Sequence, residues 1–367
     1  MRESLPTSWN ICKLKDVAEI ITGTTPPKSN PDFYGGGIPF ITPAELDCDP
    51  LVSASPTTLT EQGVNKSRIL PKKAVMVSCI GSLGKVGLAG CPLVTNQQIN
   101  SLIFDEDKIY FQFGYYFCKT LKPLLESLAS STTLPIINKS KFSEISIPLP
   151  PLPQQKRIAA ILDQADNIRR KRQKAIQLAN TFLLSVFWDM FGYPERFNLI
   201  ELQELASKER YSLSSGPFGS NLTSAHYTDK GVIVLRGLNI TEWGIDLINV
   251  KFISEEKAQS LIRSEVKPGD IVVVAVGASG LACQIPETLP RAIMSQNFNK
   301  ISPNLDQILP TYLEYCINSN FVRRQLEQNI TDTVRTFLSL TKLKTIKIPT
   351  PPLPLQKKFS NCVERIK

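Results

Sequence analysis

The chain has 367 residues, with 42 Lys and Arg against 33 Asp and Glu, one histidine and eight cysteines. That length allows two domains with a core each, and 42% hydrophobic against 20% charged residues excludes a disordered chain. The formal charge of +9 suits a polyanionic partner, whereas scattered cysteines with no Cys-x-x-Cys pair and a lone His226 argue against zinc.

Taken in chain order, residues 1–147 read as mixed α/β with much strand. Ile38-Pro39-Phe40-Ile41 follows the turn-forming Gly35-Gly36-Gly37, and Val75-Met76-Val77-Ser78-Cys79-Ile80 runs into Gly81-Ser82-Leu83-Gly84. Tyr110 to Leu128 has helical spacing, and Ile145-Ser146-Ile147 is a last strand before the prolines. Pro148-Leu149-Pro150-Pro151-Leu152-Pro153-Gln154-Gln155-Lys156-Arg157 then opens a helix whose next breaker is Gly192. Along it Ile158, Ile161, Ala165, Ile168, Arg172, Ala175, Ala179, Phe182 and Val186 alternate steps of three and four. Only Arg172 interrupts this seam of period 3.5, so the spacing predicts a coiled-coil helix needing a partner. Arg169, Arg170, Lys171, Arg172 and Lys174 cluster on it, fitting phosphates or an acidic partner face.

The second half repeats the first. Lys267 to Val274 matches Pro71 to Ser78, Gly277-Ala278-Ser279-Gly280 stands for Gly81-Ser82-Leu83-Gly84, and Ser295 to Asn299 echoes Asn96 to Asn100. Pro349-Thr350-Pro351-Pro352-Leu353-Pro354-Leu355-Gln356-Lys357-Lys358 repeats the proline element and opens a helix in which Phe359, Cys362, Val363 and Ile366 align with Ile158, Ile161, Leu162 and Ala165. The expected fold class is therefore α/β (α+β). Two tandem mixed domains, 1–150 and 192–348, are separated by a long helix at 151–191, with a short second helix at 349–367.

Catalytic motifs are missing where an enzyme would need them. Thr25-Pro26-Pro27-Lys28 and Thr350-Pro351-Pro352-Leu353 lack the polar first and aromatic last residues of an amino-methylating loop. Gly81-Ser82-Leu83-Gly84-Lys85-Val86 is too short for a phosphate-binding loop, and no paired carboxylates beside a lysine suggest a nuclease. Met1-Arg2-Glu3-Ser4 leads into no apolar signal stretch, and no run approaches the ~20 apolar residues of a membrane span. A cytoplasmic, non-catalytic binder with free thiols is expected.

With its duplicated Pro-Pro-Leu-Pro-x-Gln-Lys elements at 151–157 and 352–358, Ser214-Ser215-Gly216-Pro217-Phe218-Gly219-Ser220 and Ile38-Pro39-Phe40-Ile41-Thr42, the chain resembles the DNA-specificity subunit of type I restriction–modification systems over essentially its whole length. The resemblance implies two target-recognition domains, each reading one half of a split site on double-stranded DNA. It implies an antiparallel helix pair that sets the gap, docks two methyltransferase subunits and meets a restriction/translocase subunit. It also implies no cofactor on this chain, with S-adenosylmethionine, ATP and Mg on the partners. A full second helix would continue past Lys367, so a truncated, inactive subunit is one alternative reading, and a coiled-coil scaffold that never reads DNA is another.

Base edges are read by amide and guanidinium groups, and phosphates by cations and hydroxyls. In the first domain the candidates are Lys28 with Asn30, Lys66 with Arg68, Ser82 with Lys85, and Gln97 with Gln98. In the second they are Ser220 with Asn221, Arg236 with Asn239, Ser279, Gln296 with Asn297, and Arg335. All are expected in loops or at strand ends.

Overall fold

A computed structural model describes residues 9–47, 50–129, 134–241, 244–276, 280–328 and 338–366. The fold is mixed α/β. The chain divides into two compact units, Met1–Lys171 and Arg172–Lys367, and the division falls inside one 40-residue helix, Leu152–Phe191.

In the first unit a five-stranded sheet runs in the order Ala18–Thr22, Ile99–Phe104, Val75–Ser78, Val86–Ala89, Leu51–Val52. A four-stranded sheet orders Thr58–Leu59, Tyr34–Ile41, Leu93–Thr95 and Ile69–Leu70. Their central strands are buried apolar runs, not alternating ones, because both faces are covered. In the second unit the order Leu213–Ser215, Phe298–Ile301, Ile271–Val274, Ala282–Gln284 reproduces the first four strands of the five-stranded sheet. The order Lys251–Ile253, Val232–Leu235, Ala292–Met294, Glu265–Val266 reproduces the other sheet, down to its one parallel pairing. Each unit is tied off by a two-stranded ribbon, Asn10–Lys13 with Ser146–Leu149 and Asn198–Glu201 with Lys347–Thr350.

Each ribbon leads into the repeated proline element, whose glutamine has a fully buried side chain in both units. The Gln155 Oε1 accepts the Tyr110 backbone N–H at 2.8 Å, while its Nε2 donates to the Lys108 and Pro150 carbonyls at 3.1 and 2.8 Å. Gln356 does the same with the Leu309 N–H at 2.8 Å and the Gln307 and Pro351 carbonyls at 3.1 and 2.7 Å. One side chain thereby satisfies three backbone groups, of which the proline-element carbonyl is buried and would otherwise lack a partner. The same amide fixes the first turn of the helix against the loop before the helix Phe111–Lys119, or before its counterpart Pro310–Asn318.

The long helix is held to the first unit by a polar clamp as well. Asp163 accepts from Gln112 Nε2 at 2.8 Å and from the Tyr116 hydroxyl at 2.7 Å. Burial and then the Asp163 carboxylate push the Tyr116 phenol well above its ordinary pKa, so it stays a donor. In the second unit Leu183, Phe187 and Phe191 enter the core and meet Phe359 of the C-terminal helix Leu353–Ile366. Phe359 lies edge-on to Phe187, Phe191 and Tyr315, with ring centroids 5.4, 5.7 and 5.0 Å away.

These contacts leave most of the expected seam uncovered in the chain by itself. Ile158, Ala179 and Val186 are half-buried, but Ile161, Ala165, Ile168, Ala175 and Phe182 are exposed, Phe182 by 56%. The covered positions are instead Gln155, Ala159, Asp163 and Asp166 toward the first unit and Leu183, Phe187 and Phe191 toward the second. Each unit holds the helix through its own set of side chains, and the period-3.5 stripe touches the cores only at its ends, through Ile158 and Val186. Arg172, the break in that stripe, is exposed like its neighbours. The described cysteines are all unbridged, and no described helix is long and apolar enough to cross a membrane.

Replacing Gln155 by Leu strands an N–H and two carbonyls. At ~1–3 kcal/mol for the buried Pro150 carbonyl and ~0.5–1.5 kcal/mol for each of the two part-buried bonds, urea denaturation should report a loss of about 2–6 kcal/mol. Phe182→Ala on the exposed stripe should stay within about 0.5 kcal/mol of the parent.

Candidate nucleic-acid interface

Strand registers bring the sequence candidates to one edge of each unit. In the first unit Asn100 pairs with Thr22, Ile99 with Ser78, Ile41 with Thr95 and Ile69 with Val94. The loops after Thr22, Ser78 and Ile41, and those before Ile69 and Ile99, therefore all leave from the same side. They carry Lys28, Asn30, Lys66, Arg68, Ser82, Lys85, Gln97 and Gln98. Contacts between loops confirm the gathering. The Thr24 N–H donates to Thr95 O at 2.9 Å, the Ser67 hydroxyl to Thr24 O at 3.3 Å, and the Thr25 hydroxyl to Gln97 Oε1.

Within this edge the candidates differ in what they have free to offer. Lys28, Lys66, Arg68, Ser82 and Gln97 are exposed, and among the described residues no carboxylate lies within ion-pair distance of these three cations. Asn30 is occupied as a cap, its Oδ1 accepting the Asp32 N–H at 3.1 Å. Gln98 is half-buried and braced by Asn96, whose Nδ2 donates to its Oε1 at 2.8 Å. Lys85 is a brace too: its ammonium donates to the Pro43 carbonyl at 3.1 Å.

The second unit repeats the edge with different contents. Ser215 pairs with Asn299, Val274 with Phe298, and Leu235 with Met294. Ser220 and Asn221 are exposed in the loop after Ser215. Arg236, Gln296 and Asn297 line one cleft of about 250 Å³ with Tyr227, Leu238 and Ser295. Ser279 and Arg335 lie outside the described residues. Asn239 does not belong to the reading surface, because it is fully buried and its amide is spent on backbone. Its Oδ1 accepts the Arg236 N–H at 3.0 Å, and its Nδ2 donates to the Asp246 and Ile248 carbonyls at 2.9 and 3.4 Å. It closes the turn that presents Arg236.

Beneath both edges lies a polar framework that sequence reasoning did not single out. The Thr22 hydroxyl donates to Asn100 Oδ1 at 2.7 Å, and the Ser215 hydroxyl to Asn299 Oδ1 at 2.8 Å. The next residue is glycine in both units. A Cβ on Gly23 would lie 2.1 Å from Asn96 O, and one on Gly216 would lie 1.9 Å from Ser295 O, so only glycine lets the loops cross. The recurrence of Asn100 as Asn299 in the aligned copies was the available signal.

The basic run on the long helix is partly neutralised within its own turn. Asp166 pairs with Arg169 at 2.9 Å and with Arg170 at 3.1 Å, leaving Lys171, Arg172 and Lys174 exposed. Among the described residues no group of His, Cys, Asp and Glu could hold a metal ion.

The family model of the type I restriction modification DNA specificity domain matches residues 6–179 and 225–366. The MjaIX type I restriction enzyme specificity subunit of Methanocaldococcus jannaschii is 23% identical, covering 98% of this chain and 87% of its own length. The HindI specificity subunit of Haemophilus influenzae is 33% identical over 47% of this chain and 40% of its own length. The crystal structure of a type I restriction–modification S subunit from M. genitalium superposes with a TM-score of 0.58 at 18% identity, covering 99% of this chain and 91% of that one. The last match bears on the fold.

Replacing Asn239 by Ala leaves three backbone groups of the turn without partners. Thermal or urea unfolding of the full chain should show a loss of about 2–3 kcal/mol. Lys66→Ala, at an exposed cation of the other edge, should leave stability within about 0.5 kcal/mol.

Proposed function

Because the chain belongs to the type I restriction modification DNA specificity domain family, we propose that it is the DNA-recognition subunit of a type I restriction–modification complex. Each unit reads one half of a split site, and the long helix sets the spacing between the halves. The observation that carries this reading is the pair of equivalent edges. One framework of strands, glycines and buried amides collects cations, amides and hydroxyls at the same place in both units, yet the collected side chains differ. Two sites of one elongated polyanion, unlike in sequence, call for that arrangement.

The chain itself performs no chemistry in this reading. It delivers partner subunits that methylate, translocate and cut, and these bind S-adenosylmethionine, ATP and Mg. The exposed apolar stripe on the helix, with Ile161, Ile168, Ile176 and Phe182 all more than half exposed, supports the docking of methyltransferase subunits there.

Exchanging residues 192–348 for those of a relative should change one half-site and leave the other intact, as read by selection from random duplexes. A change in both halves would rule out modular reading. Affinity should fall steeply with salt as bound cations release counterions, and a chain that protects no defined sequence in a footprint would be a scaffold only.

A further inference from the structure

The turn that follows Val232–Leu235 in the second unit has a counterpart in the first. Leu235 lies in parallel register with Met294 as Ile41 does with Thr95. The next residue is capped by the side chain three positions on: Arg236 N–H by Asn239 at 3.0 Å, Thr42 N–H by Glu45 at 2.7 Å. The frame is thus shared, while the presented residues change from Thr42 and Ala44 to Arg236 and Leu238.

In the first unit this corner is closed. The Thr42 hydroxyl is spent on Glu45 at 2.8 Å, and Lys85 holds the Pro43 carbonyl. In the second unit Leu281 stands where Lys85 stood, after Gly280, whose N–H reaches Val274 O at 2.8 Å as Gly84 reaches Ser78 O at 2.9 Å. Among the described residues no side chain spans this corner, and a cleft of about 250 Å³ lies there.

Two donors on residues lining that cleft have no partner among the described residues. The Arg236 guanidinium is held by one bond, Nη2 to Asn249 O at 2.6 Å, and its Nε is buried and unpaired. Ser295 is 7% exposed and its hydroxyl is likewise buried and unpaired. Leaving two such groups unsatisfied is costly unless a ligand supplies acceptors. Leu238, 60% exposed, and Tyr227 give the cleft an apolar wall, and the Gln296 and Asn297 amides border it.

We propose that Arg236 and Ser295 are specificity-determining residues that read the acceptor edge of one base in the second half-site, with guanine, through O6 and N7, as the fit. This rests on the recognition function proposed above. A phosphate fits less well. Among the described residues the cleft has a single cation and apolar walls, less than the charge density of a phosphate backbone calls for. A contact that only fixes register would also have no reason to differ between the two units.

The test uses the full chain with the methyltransferase subunits that accompany it, and a pool of duplex DNA with randomised bases whose bound fraction is sequenced. The parent should select a two-part sequence; if it selects none, the recognition function fails and not merely this assignment. In Arg236→Gln and Arg236→Lys, preference for guanine at one base pair of the second half-site should drop roughly tenfold or more, since lysine lacks the planar fork. Ser295→Ala should shift the same position. Continued selection of the first half-site reports that the variants are folded. Uniform weakening with a salt slope reduced by about one would mean a phosphate contact and overturn the assignment. So would unchanged preference in Ser295→Ala where the arginine variants bind nothing.

Discussion

The buried amide of Gln155, and of Gln356 after it, is the constraint on which the rest of the architecture depends. A glutamine side chain in a dry interior must find partners for both its oxygen and its nitrogen. Here those partners are the backbone groups of one loop and of the proline element itself. The geometry admits one placement of the helix start, so the helix leaves each unit along a defined line. Prolines on either side restrict the approach further, since they fix φ and remove donors that would compete. Seven of the ten residues of the proline element are identical from copy to copy, while the loops at the other end of the strands vary.

Much of this was legible in the chain. The repeat of Pro-Pro-Leu-Pro-x-Gln-Lys announced the duplication, and apolar runs such as Val75–Ser78 and Ile271–Val274 became central strands. The candidates at Lys28, Lys66, Arg68, Gln97 and Gln296 emerged together at loop edges because loops between strands of one sheet must leave from its two ends. What was not legible was the use of each polar side chain. Asn239 and Gln296 look equally suited to reading a base, yet one is turned inward by three backbone groups needing partners. Similarly, Lys85 looks like a phosphate ligand but is tethered to a carbonyl. Residue type sets what a side chain can offer, and only the fold decides whether backbone takes the offer first.

The long helix taught a related lesson. Periodicity finds apolar stripes without saying which stripe a neighbouring unit will cover. The first unit took a polar face, where Asp163 meets Gln112 and Tyr116 of the helix Phe111–Lys119 and Gln155 meets the loop before that helix. The second chose an aromatic one. Two units of one fold therefore grip a single helix by unlike chemistry.

The near identity of the two joints has a consequence for how the chain reaches its native state. Each socket, formed by the loop at Lys108–Tyr110 or at Gln307–Leu309, accepts a glutamine amide from a proline-opened helix, so either glutamine could enter either socket. Misassembly between like parts is a characteristic hazard of tandem repeats. Synthesis orders the choice, because Gln155 leaves the ribosome roughly 10–40 s before Gln356 at ~5–20 residues per second. The first socket is thus filled before its competitor exists. The neighbour of the second glutamine completes the discrimination: Phe359 needs the aromatic ring of Phe187, Phe191 and Tyr315 that only the later unit possesses. Order of synthesis and one bulky side chain both favour the native pairing in a duplicated chain.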